Sequence, residues 1–213
     1  MRKDNLLDDL VADLKPVRRR SANSDALLVT SLCGAQLVLF LLFGMARPDM
    51  SLAMSLPSFW WKLTSTGLLA VAGTITAVLS FDPRFSPRFG LRWLAIIVTT
   101  AIVIGAVLGM LDGGPGLLPD CLEWRDGVQC VGKIVFLSLP ALIGVGLLMR
   151  RGAPTDRGGT AWAVGLAAAA WGGFVFAFAC PHDDPVYSAF WYVIGCGAVA
   201  LAARLVLPVV ARW

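Results

Sequence analysis

Charge is what this chain has least of. Only 15% of its 213 residues are Asp, Glu, Lys or Arg, 57% are apolar, and the mean hydropathy is +0.74. That balance excludes a disordered chain, and an ordinary soluble domain would need charges spread along every element rather than gathered in clumps. CxxC pairs, internal repeats and low-complexity tracts are also missing. The stretch Asp112-Gly113-Gly114-Pro115-Gly116 lacks the Lys-Ser/Thr ending of a phosphate cradle and reads as a turn. No signal peptide is expected either, because the first apolar run follows a strongly charged stretch and is long enough to stay as an anchor.

What the sequence has instead is length of apolar run. Six runs are found: Ala26 to Met45, Leu63 to Phe81, Trp93 to Leu111, Ile134 to Met149 with apolar flanks, Thr160 to Ala179, and Val186 to Val210. Each approaches the roughly 20 residues that a helix rising about 1.5 Å per residue needs to cross hydrocarbon. A backbone in lipid must satisfy its own hydrogen bonds, and these runs lack the alternation of barrel strands. The fold class expected is therefore all-α, a polytopic membrane protein of six transmembrane helices.

Lys and Arg set the expected orientation. Fourteen of them lie on the N-terminal segment, the 2-3 and 4-5 loops and the C-terminal end, whereas only Arg47, Lys62, Arg125 and Lys133 lie on the other side. The richer side is expected to be the cytoplasm, with both termini there, in a bacterial inner membrane. The net charge of +4 reflects this anchoring bias and is not a nucleic-acid footprint. Aromatic residues agree: Trp60, Trp61, Trp124, Tyr187, Trp191 and Tyr192 cluster near outer ends, and Trp93, Trp162 and Trp213 near inner ends, with mid-span Trp171 the exception.

The run centres carry no ionisable residue, which removes most support for a transport pathway; Gln36 is the strongest polar group in the first run. Gly165, Ala169 and Gly173, and Gly105 with Gly109, form small-residue ladders suited to close helix packing within one bundle. The longest connection, from Asp112 to about Cys130, has roughly 19 residues, too few for a folded soluble domain. Function must then reside in the spans, the loops or the N-terminal segment.

That segment, residues 1–25, is one expected domain and 26–213 the other: a cytoplasmic partner-binding segment and a six-helix sensor. Leu7, Leu10, Val11 and Leu14 recur at helical spacing while Asp8, Asp9 and Asp13 occupy the rest of the surface, and Pro16 stops the helix. About twelve residues do not make a stable helix in water, so the apolar stripe needs a cover. Three covers are open: the inner leaflet, the protein's own basic inner loops, or a basic, groove-bearing cytoplasmic protein. Acidic decoration argues against an anionic leaflet.

Among the five cysteines, Cys33 and Cys196 lie within spans and read as small apolar packers, whereas Cys121, Cys130 and Cys180 map to the outer side. Cys130 stands 20 residues before Arg150 and Cys180 stands 20 residues after Thr160, so both should emerge at similar depth on antiparallel neighbours. His182 follows at once and adds a borderline ligand, giving Cys130, Cys180 and His182 as a candidate metal set. A structural disulfide, inert thiols, and a reversible redox or metal-responsive pair all remain open.

Several of these stretches together resemble the NrsF-type anti-sigma factors, membrane negative regulators of extracytoplasmic-function sigma factors. They are Leu7-x-x-Leu10-x-x-x-Leu14-x-Pro16-Val17-Arg18-Arg19, Arg150-Arg151-Gly152-Ala153-Pro154, and Cys180-Pro181-His182-Asp183 followed by Trp191-Tyr192. The resemblance covers essentially the whole chain. It implies that the N-terminal segment holds the sigma factor and that Cys130 and Cys180 match the family's outer cysteines, with Cys121 additional. The partners implied are a sigma factor and the bilayer, with no direct nucleic acid. No enzyme activity and no cofactor are expected, a regulatory metal ion at the outer cysteines being the one candidate. The alternative from another class is a membrane thiol-disulfide oxidoreductase, against which the missing CxxC counts.

Overall fold

The computed structural model describes residues 21–113 and 124–210. The stripe residues Leu7 to Pro16 and the additional Cys121 lie outside them. Six long helices and one short one are found: α1 Ala22–Leu42, α2 Met50–Ala53, α3 Pro57–Ser80, α4 Pro87–Gly113, α5 Trp124–Arg151, α6 Arg157–Ala177 and α7 Pro185–Val210. All but α2 are long and apolar enough to cross a membrane, and no strand occurs among the described residues.

Local chemistry sets the helix ends. Pro57, Pro87 and Pro185 occupy the first positions of α3, α4 and α7, where the missing N–H costs nothing. Asp156 caps α6 by accepting from Gly159 N at 2.9 Å, and Asp184 Oδ1 caps α7, accepting from Val186 N at 2.7 Å. Gly44, at φ 66°, turns the chain out of α1 in the left-handed region that favours glycine. The helices run a few residues beyond several of the apolar runs, because amphipathic ends can be helical without being apolar. One consequence corrects the charge count by loops: Lys62, Arg125 and Lys133 are helical, not loop, residues.

Helix α6 is the axis of the bundle. It packs against α3, α5 and α7, α4 lies over α3 and α7, and α1 sits at the rim on α5 and α3. Its Ala- and Gly-rich sequence explains that position, since lipid offers no hydrophobic gain and close backbone approach must supply the packing. A Cβ added to Gly165 would lie 2.8 Å from Ala200 Cα, and one on Gly172 would lie 2.1 Å from Ser138 Oγ. The Gly165 ladder thus serves contacts inside one chain. Mid-span Trp171 also finds its reason: its Nε1 donates to Gln36 Oε1 at 3.0 Å, while Gln36 Nε2 donates to Leu137 O at 2.7 Å. Three helices are pinned through one amide. The ends of the bundle differ, and we call them the thiol end, with Arg47 and Cys180, and the basic end, with Arg84, Arg88 and Arg157.

Candidate functional site

Cys130 lies in the second turn of α5, and Cys180 just beyond the end of α6. The short connection between these helices makes them antiparallel neighbours, so both thiols arrive at the same level. Both are buried, in a cluster with Ile134, Phe176, Tyr187, Trp191 and Tyr192. His182 is half-buried beside them, and one ligand atom from each of Cys130, Cys180 and His182 lies within 4.8 Å of the other two. His182 stacks on Tyr187 at 4.2 Å between ring centroids, and Tyr187 Oη lies 3.5 Å from Cys130 Sγ.

A set of charges holds the loop that carries Cys180. Arg47, in the connection after α1, donates from Nη1 to Asp183 Oδ1 at 2.7 Å and from Nη2 to Asp183 Oδ2 at 2.9 Å. The same guanidinium donates to both oxygens of Asp49, at 2.7 and 2.6 Å, and to Cys180 O at 3.1 Å. Its backbone N–H donates to Phe178 O at 2.9 Å. Planar, forked geometry is what lets one arginine serve two carboxylates and a carbonyl. Lys62, only 2% exposed, donates from Nζ to His182 O at 2.6 Å and lies 4.0 Å from Asp183 Oδ1. His182 Nε2 stands 3.7 Å from Asp126 Oδ2.

Electrostatics follow from these contacts. Hydrogen bonds to Asp49 and Asp183 push the Arg47 guanidinium above even its usual range, and Arg47 holds Asp49 down at about 2. The Cys180 thiol is lowered to about 5, chiefly by the hydrogen bond from Cys130, against the opposing cost of burial, with Lys62 helping through its charge. Cys180 is thus the sulfur that ionises first, and a thiolate is the form that attacks oxidants and binds metals.

The set can bind a metal. Zinc–sulfur bonds of about 2.3 Å in a tetrahedron put neighbouring ligands roughly 3.8 Å apart, so three ligands within 4.8 Å need to close only slightly. It can equally form a disulfide if the two sulfurs approach to about 2 Å. His182 Nδ1 is buried with no hydrogen-bond partner, which leaves a ring nitrogen to offer.

Of the residues singled out from sequence, Cys130, Cys180 and His182 are brought together, while Cys121 and the stripe from Leu7 to Pro16 lie outside the described residues. Arg47, Lys62, Tyr187 and Asp126 were not picked out. A signal for two of them existed: Arg47 and Lys62 are among the four cations on the side otherwise poor in them.

Over residues 10–213 the sequence matches the family described as negative regulator of sigma F. The chain belongs to the NrsF family. It is 31% identical over 215 residues to the anti-sigma-F factor NrsF of Caulobacter vibrioides, with all of both chains covered. It is also 27% identical over 219 residues, again end to end, to a protein of Azospira oryzae named "Probable anti-sigma-F factor NrsF". No solved structure matches. In this NrsF family member the thiols, the arginine fork and the buried lysine occupy one end of a six-helix bundle.

Proposed function

We propose that this chain is a bacterial inner-membrane anti-sigma factor. Its N-terminal segment holds an extracytoplasmic-function sigma factor in the cytoplasm, through the apolar stripe Leu7, Leu10, Val11 and Leu14 and the acidic Asp8, Asp9 and Asp13, with Pro16 ending the helix. A sigma factor exposes basic surface for DNA and apolar grooves for polymerase, so a short acidic amphipathic helix competes for both. Both termini face the cytoplasm, and the thiol end faces the opposite side. There Cys130 and Cys180, with His182, respond to an oxidant or a metal ion, and the response weakens the hold on the sigma factor.

One observation carries the coupling. Arg47 ties Cys180 O and Asp183 to the chain that leaves α1, and α1 is the helix that continues from the N-terminal segment. A change at the thiols that moves the Cys180 loop therefore pulls on α1 directly, without having to pass through the rest of the bundle. The naming of the two relatives supports the partner; the shared end of the bundle supports the switch.

The test has two arms. Residues 1 to 22 are used to capture cytoplasmic proteins beside a version with Leu10→Asp and Leu14→Asp. A sigma factor should be retained by the first and lost from the second; its absence from both sinks the partner. In cells, a sigma-dependent reporter should stay repressed under stress in Cys130→Ser and Cys180→Ser strains. A normal response in both would remove the thiols from the switch.

A further inference from the structure

At the basic end of the bundle a cleft of about 620 Å³ runs between the α3–α4 and α5–α6 connections, with Pro83, Arg84, Phe85, Arg88 and Arg157 in its wall. The two connections are fastened together: Thr155 Oγ1 donates to Pro83 O at 2.9 Å, and Ala153 N to Phe81 O at 3.2 Å. The carboxylates at hand are already committed to backbone. Asp82 Oδ1 accepts from Arg84 N at 3.0 Å, and Asp156 caps α6 through Gly159 N. Arg84, Arg88 and Arg157 are exposed and form no ion pair with another described residue. Phe85, 50% exposed, sets an apolar ring among them.

Such a surface fits an occupant that is apolar along one stripe and acidic beside it. Residues 4–16 read from sequence as that occupant: Leu7, Leu10, Val11 and Leu14 share a helical stripe, flanked by Asp4, Asp8, Asp9 and Asp13. Their tether is long enough. Val29 of α1 packs with Phe81, Leu148 and Met149 at the ends of α3 and α5, so α1 starts at the basic end, beside the cleft. The chain from Pro16 to Ser21 spans up to about 17 Å when extended, while the axes of packed helices lie only about 8–10 Å apart. Phospholipid headgroups would meet the same arginines but would leave the stripe uncovered.

We propose that residues 4–16 dock into this cleft of their own chain whenever no other protein holds them, with the stripe on Phe85 and the aspartates facing Arg84, Arg88 and Arg157. Each ion pair is exposed and screened, and tethering supplies the high local concentration that makes weak contacts count. The docked contact stands apart from sigma-factor binding, but its consequence rests on that reading. Cleft and sigma factor compete for one face of the segment, so the factor's apparent affinity is scaled by the undocked fraction.

The experiment places the full chain, one copy per nanodisc and without sigma factor, under irradiation with p-benzoylphenylalanine in place of Leu7, and maps the crosslinks by mass spectrometry. Crosslinks to residues 81–88 and 153–157 are expected. Arg84→Glu with Arg88→Glu should lower their yield about threefold, the scale of exposed ion pairs, and adding Asp8→Arg with Asp9→Arg should restore it. Arg125→Glu, an exposed cation at the thiol end, is the control and should leave the yield unchanged. Crosslinks to lipid alone, a yield indifferent to the two glutamates, or a loss that the reversed charges fail to rescue would each overturn the proposal. Crosslinking into the cleft by a chain whose residues 1 to 22 capture no sigma factor would leave the docking standing and sink the partner; capture without the crosslink would do the reverse.

Discussion

At the thiol end Arg47 is 7% exposed and spends its guanidinium on Asp49, Asp183 and a carbonyl, while at the basic end Arg84 and Arg88 are exposed and make no ion pair among the described residues. The basic cleft between the α3–α4 and α5–α6 connections, with Arg157, is wide, about 620 Å³. Both ends carry arginine; burial makes the difference. A cation withdrawn from water must be paired and hydrogen-bonded, and once paired it fixes whatever it touches. An exposed cation is screened and fixes little. The thiol end is therefore held in place by its buried pairs, which the proposed switch requires if a change at two sulfurs is to move a helix, and the basic end is a charged rim.

That contrast can be broken at its strongest point. Arg47→Ala removes the shared partner of two carboxylates and the donor to Cys180 O, and should cost about 3 kcal/mol, the usual scale for breaking a buried ion pair. Thermal unfolding in detergent, followed by circular dichroism, measures it; a loss below the surface scale would mean the clamp holds nothing. Lys62→Met keeps the packing but leaves His182 O with only the weak Cys180 Sγ contact at 3.7 Å, and should cost about 2 kcal/mol by the same measurement.

The third test sharpens the contrast through pH. With its pKa lowered to about 5 from an ordinary thiol value of 9.0, Cys180 contributes stability that is full above the ordinary value and lost as pH falls through the lowered one. Its ultraviolet thiolate absorbance should appear with a midpoint near 5. Cys130→Ala removes the largest cause of the shift and should move that midpoint toward 9.0; an unmoved midpoint would assign the shift to Lys62 instead. The smallest effect belongs to the basic end. Arg84→Ala together with Arg157→Ala should change unfolding by no more than about 0.5 kcal/mol, and a larger loss would show that this rim is built as tightly as the other.

Much of this was legible in the order of residues. Six apolar runs of spanning length define six helices, and the matched distances of Cys130 and Cys180 from one short connection set them at one level. The small residues of α6 announce a helix that others approach closely. Arg47 and Lys62 were legible only as exceptions, cations where few are found, with nothing in their neighbourhoods to name Asp183, a partner 136 residues beyond Arg47 in one case. Trp171 and Gln36, 135 residues apart, were each noticed as oddities and not as a pair.

By itself the sequence determined the six spanning helices, though not the short α2, because in lipid each stretch of backbone must close its own hydrogen bonds, a local requirement that apolar length satisfies. Tertiary structure alone decided which polar side chains meet: the arginine fork over the Cys180 loop, the lysine under His182, and the amide that pins three helices. Those meetings depend on how helix faces turn toward one another, and rotating an apolar helix about its axis changes its hydropathy little while changing every long-range partner it has.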